Sequence, residues 1–136
     1  MTLEQALNII DDNANSVNDS LLDFTHERNK FDEIAFWKFY NAIRIIARKN
    51  SVENNLSREL TMKIIKSYEY FLLQIGFHFD KTDLYEMENI PHNFALYSSR
   101  LRIVVDAYII GDIINDEVEN FLNSDLENIQ KLKLDS

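Results

Sequence analysis

Cysteine is absent from this chain, which excludes a disulfide framework, a zinc–thiolate site and a thiol nucleophile. Glycine occurs only at 76 and 111, and proline only at 91. Sheet proteins need many tight turns, and these two residue types are the usual means of making them. Their scarcity points to a few helices joined by polar loops. Two widely separated glycines also cannot form a phosphate-cradling loop, and no Gly-x-Ser-x-Gly elbow occurs. No apolar run is long enough to cross a bilayer. The strongest, Leu101 to Ile114, is interrupted by Arg102, Asp106 and Asp112. The start, Met1-Thr2-Leu3-Glu4-Gln5, lacks the basic and apolar regions of a secretory signal. A soluble, cytoplasmic protein with no membrane partner is the expectation.

Apolar residues make up 46% of the 136 positions, enough for one domain over 1–136 to hold a core without metal or disulfide. Asparagine (15) and isoleucine (16) are abundant, as a low-GC bacterial or phage coding sequence would give. The charge is sorted along the chain. Residues 1–36 carry a net −6, residues 37–79 a net +4, residues 80–127 a net −8, and the last nine a net +1. The total of −9 favours basic protein partners and repels bare nucleic acid.

Hydrophobic spacing is helical throughout. Leu3, Ala6, Leu7 and Ile10 form the stripe of a first helix, with Thr2 and Gln5 as its capping box. Asp11 to Ser20 reads as a loop, followed by an apolar turn around Leu21, Leu22 and Phe24. A second helix is expected from Asp32, which can cap it, to Arg48. Its apolar arc, taking in Ile34, Phe36, Trp37, Phe39, Tyr40, Ile43 and Ile46, is wide enough for neighbours on two sides. Ser57 caps a third helix with Leu60, Ile64, Tyr68, Phe71 and Ile75 on its core face, and Gly76 is expected to stop it. One or two helical turns are expected between Asp80 and Glu88, and Pro91 in the first turn of the next helix. That helix uses Phe94, Tyr97, Leu101, Val104, Val105, Tyr108 and Ile109, with Gly111 either interior or a break. A last helix runs from Asp116 to Lys131 with Val118, Phe121, Leu122, Leu126 and Ile129. The expected fold is therefore an all-α, single-domain bundle of about five to six helices.

The histidines are the natural place to seek chemistry. Asp23 and His26 share a face at i, i+3, but one such pair falls short of a di-iron set. His78 with Asp80 and Asp83 is the best local cluster, and a small His/Asp hydrolase is the reading it would support. His92 follows Pro91 without an evident partner. Adjacent carboxylates such as Asp11/Asp12 point to different helix faces and make poor acid–base dyads. The expectation is no enzyme, no catalytic residue, no metal and no cofactor. The bases Arg44, Arg48, Lys49, Arg58, Lys63 and Lys66 resemble part of a nucleic-acid footprint, but compensation of acids on neighbouring helices explains them better.

The acidic C-terminal section remains. Asp80, Asp83, Glu86 and Glu88, with Asp112, Asp116 and Glu119, are expected to converge into one electronegative surface. Phe79 and Tyr85 are its candidate apolar anchors. In size, acidity, helical character and lack of cysteine, the whole chain resembles the helical immunity proteins of contact-dependent or polymorphic bacterial toxin systems. That resemblance lies in composition and pattern, without a diagnostic motif, and carries no residue roles over. It implies tight one-to-one binding to a cognate protein toxin, with specificity set by surface detail. The alternative of another class is a helical regulatory or assembly module, including a phage-encoded inhibitor that mimics nucleic-acid charge. It would self-associate through the apolar faces of Tyr97 to Ile114.

Overall fold

A computed structural model describes residues 1–53 and 55–124. It is a small all-α bundle, with no strand among the described residues beyond one isolated parallel bridge between Lys30 and Glu88. Helix α1 spans Leu3–Asn15, α2 Glu33–Asn50, α3 Arg58–Phe79 and α4 Phe94–Ile110. Residues 23–27 form one wide π-type turn between α1 and α2, and residues 116–124 are helical again. None of the described helices is long and apolar enough to cross a membrane.

The helix starts follow the expected side chains. Thr2 and Gln5 close a reciprocal capping box (3.1 and 2.9 Å), Asp32 accepts from the Ala35 amide (2.8 Å), and Ser57 accepts from the Leu60 amide (3.2 Å). The helix ends are less legible. α1 continues through Asp11–Asn15, where a loop was expected, and stops at left-handed Ser16. The cause is Asn13, which is buried: its amide donates to the Ile9 carbonyl (2.9 Å) and its own carbonyl accepts from the Leu22 amide (3.2 Å). A residue that reads as a turn former is here a core hydrogen-bonding post.

Gly76 does not end α3; the helix runs one further turn to Phe79, since glycine weakens a helix without forbidding it. Gly111 does end α4, at φ +89° in the left-handed region, with its N–H on the Ala107 carbonyl (2.9 Å). Pro91 lies ahead of α4, not in its first turn, and residues 80–88 hold turns and extended backbone instead of helix. Leu126 and Ile129 fall outside the described residues.

α2 is the central element, packing on α1 along one side and on α4 along the other, while α3 closes against α1 and α4. Its buried arc runs over Ala35, Phe36, Phe39, Tyr40, Ala42, Ile43, Ile46 and Ala47, which bears out the wide apolar face. Ile34 is the exception, 70% exposed on the outer edge of the first turn. Leu7 and Ile109 also lie outside the core. An aromatic knot sits at the middle of the bundle. Phe31, Phe36, Phe71 and Tyr97 stack edge-on or tilted at centroid distances of 5.2–6.3 Å, and Trp37 adds its edge to Phe36 at 5.0 Å. Such pairs each add about 1 kcal/mol beyond the area they bury.

Candidate functional site

Between α3 and α4 the chain forms a ridge, residues 79–88, pinned to the body from beneath. Met87 is buried, and its amide donates to Nδ1 of His78 (2.8 Å). The Tyr85 hydroxyl donates to the Thr25 carbonyl in the π-type turn (2.5 Å). The Glu88 amide donates to the Asn29 carbonyl (2.9 Å), and the Phe31 amide returns to the Glu88 carbonyl (2.8 Å). Two carboxylates shape the crest. Asp80 Oδ1 accepts from the amide (2.9 Å) and hydroxyl (2.7 Å) of Thr82, and Asp83 Oδ1 accepts from the Tyr85 amide (2.8 Å). The Thr82 bonds hold the Asp80 carboxyl below its ordinary range, because both favour the ionised form.

Outward from this frame point Asp80, Asp83, Glu86 and Glu88, all exposed, and two apolar side chains. Phe79 is 63% exposed and Leu84 is 100% exposed. Of the expected anchors Phe79 stands out as read, with its ring edge-on to His78 (4.8 Å). Tyr85 is half-buried with its hydroxyl engaged, so it is a foot of the ridge and not a free anchor. Leu84 is the second apolar side chain that stands free on the ridge. Nothing in the sequence marks it, because one leucine among acids has no periodic partner.

The second acidic stretch does not join the first. Asp112 and Asp116 lie beyond the far end of α4, whose 17 residues make a rod roughly 25 Å long. Asp112 and Asp116 are exposed, and Asp116 pairs with Arg44 (3.0 Å). Glu119 is turned inward, which corrects the expectation that it belongs to the outer surface. It forms an ion pair with Arg100, accepts from the Tyr40 hydroxyl (2.8 Å), and lies 3.8 Å from Arg44 Nε.

Arg100 itself is only 3% exposed. Its guanidinium also donates to Asn123 Oδ1 (3.0 Å) and to the Tyr40 oxygen (3.2 Å), and lies over the Trp37 and Tyr40 rings at 5.2 and 4.8 Å. Its Nε has no acceptor among the described residues. Burial pushes the Tyr40 phenol up to about 12; the hydrogen bond from Arg100 pulls the other way and the one to Glu119 adds to the rise. Arg44 completes the clasp by donating to the Ile114 carbonyl (2.9 Å). The network fastens residues 114–123 to α2 and α4 and acts as a structural lock around the buried Arg100.

The histidines do not assemble a reactive cluster. His26 meets the Tyr70 hydroxyl (3.2 Å), while Asp23 is taken by Arg28 (3.0 Å). His78 serves as an acceptor for Met87, and Asp80 and Asp83 serve their own turns. Among the described residues no three His, Asp or Glu side chains stand together as metal ligands would. The basic middle section compensates neighbouring acids at two positions: Lys63 bridges Asp11 of α1 (2.7 Å) and Glu59 (3.0 Å), and Arg44 holds Asp116. A cleft of 510 Å³ between α1 and the start of α2 is lined by Asn13, Asn18, Asp12 and Asp19. These side chains bond within the fold: Asn18 to Asp12 (3.0 Å), Asp19 to Arg28, and Asn13 as above. The ridge, where exposed carboxylates stand beside the exposed Phe79 and Leu84, is therefore the candidate surface.

No family model matches the chain, and neither does a curated protein or a solved structure.

Proposed function

We propose that the chain is a non-enzymatic inhibitor of the immunity type. In this reading it works in the cytoplasm, without a cofactor, and binds one basic, nuclease-type toxin through the 79–88 ridge. One observation carries the reading: four exposed carboxylates and two exposed apolar side chains stand on a loop tied down at His78, Tyr85 and Glu88. A loop already held in place loses little conformational freedom on binding, so more of the contact energy appears as affinity. The carboxylates steer a basic partner and stand where a nuclease would hold phosphates, while Phe79 and Leu84 enter its surface as anchors. The acidic excess of the whole chain adds long-range attraction that salt screens beyond a Debye length of about 8–10 Å.

The test pairs a growth assay with kinetics. Nuclease-type toxin domains, including any encoded beside this chain, are expressed in bacteria with and without it. Rescue from one toxin, with a one-to-one complex, is the expected result; failure against all of them removes the reading. In the rescuing pair, Asp80→Lys, Asp83→Lys and Glu86→Lys together should slow association about tenfold or more at low salt. The bundle should stay folded, and Glu86→Lys alone, which removes no turn bond, should slow association in the same direction. An unchanged association rate would move the contact away from the ridge.

A further inference from the structure

At the other end of the bundle the loop after α2, the start of α3 and the end of α4 come together. A Cβ on Gly111 would lie 3.7 Å from the Ser51 carbonyl, and the Thr61 and Tyr108 hydroxyls are 2.8 Å apart. Apolar side chains here point to solvent. Val52 is 88% exposed and Ile110 73%, with Ile109 and Ile113 also well exposed. Scattered exposed apolar residues are ordinary, but four at one end of a small bundle are a patch.

The charge around them differs from the rest of the molecule. Arg48, Lys49 and Arg58 stand against Glu53 and Asp112, all exposed, and none has an ion-pair partner among the described residues. With exposed Glu117 added, and the Arg44–Asp116 and Lys63–Glu59 pairs cancelling, this end is near neutral in a chain of −9. Two copies meeting through any acidic face would repel. Here the signs are mixed, so bases of one copy can meet acids of another without the repulsion that an acidic face would bring.

We infer that this end is an isologous interface between two copies of the chain: an apolar centre of Val52, Ile109, Ile110 and Ile113 within a mixed-charge rim. A closed two-fold pair is the commonest way a self-complementary patch is satisfied. The arrangement leaves both 79–88 ridges at the outer ends of the dimer, so the inference stands apart from the proposed toxin contact.

Sedimentation equilibrium of the full chain tests it. The weight-average mass should rise from 16.1 kDa toward twice that value as concentration increases from micromolar to millimolar. Ile110→Asp with Val52→Ser should weaken association by at least about tenfold. Both sites are open to solvent, and an unchanged far-ultraviolet spectrum and melting curve would verify folding. Reversal of Asp80, Asp83 and Glu86 should leave the dimer intact. A monomer over the whole range overturns the inference. So does a dimer indifferent to the Ile110/Val52 change, or one lost on ridge reversal. None of these outcomes bears on toxin rescue, which is read independently.

Discussion

The 79–88 ridge and the 112–124 segment are both acidic, both carry large apolar side chains, and both sit next to an end of α4. They are held in opposite ways. The ridge is tied down by backbone amides and by neutral side chains, His78 and Tyr85, and its carboxylates face water. The later segment is tied down by charge: Glu119 and Asn123 point inward to Arg100, while Val118 and Phe121 face out. Carboxylates stay in solvent where most of the anchoring is done by other groups, and turn inward where a buried guanidinium awaits them.

That contrast sets the sizes of the expected effects. The largest is at Glu119. Its replacement by alanine leaves Arg100 buried with its charge uncompensated, and should cost about 3–5 kcal/mol in denaturant unfolding. Glu86→Ala on the ridge, exposed and outside the turn bonds of Asp80 and Asp83, should cost within about 0.5 kcal/mol. Equal losses at the two sites would erase the distinction drawn between them.

Alkali probes the same lock more gently. Tyr40 is raised to about 12 in the fold from 10.0, so the native state keeps its proton where the unfolded chain has released it. Stability from this group is fully present below pH 10 and falls as pH rises toward 12, by about 2–3 kcal/mol in all. Tyr40→Phe should remove that component of the alkaline loss. A variant that unfolds in alkali along the wild-type curve would contradict it.

A smaller effect than either of these is expected at the foot of the ridge. His78→Ala removes the acceptor for the buried Met87 amide and should cost about 1–2 kcal/mol. Amide exchange over residues 80–88 should quicken while the α1–α2 core stays protected. Unaltered exchange there would mean that the ridge owes its shape to other ties.

Much of the architecture was legible from local chemistry. Thr2, Asp32 and Ser57 cap the helices they were expected to cap, and the wide arc of α2 placed it centrally. Two of the readings that failed share a cause: Asn13 looked like a loop residue and Glu119 like part of an outer face, and each assignment turned on what stands opposite in space. Gly76 looked like a stop for a local reason, yet it faces open space and α3 runs through it. For the candidate site, the acids of 80–88 and Phe79 were visible as sequence. Leu84 was not, nor was the inward turn of Tyr85, because exposure is a property of packing and carries no period.

The amino-acid order by itself determined the helical class, the starts of α1, α2 and α3 and most of the core-facing positions, since capping and 3.6-residue spacing act within a few positions of the chain. Only the tertiary structure decided which carboxylates are spent inside and which stand on a pinned ridge. Arg100 and Glu119, or His78 and Met87, become partners through packing. The cost of burying a charge or an amide then dictates that they stay so.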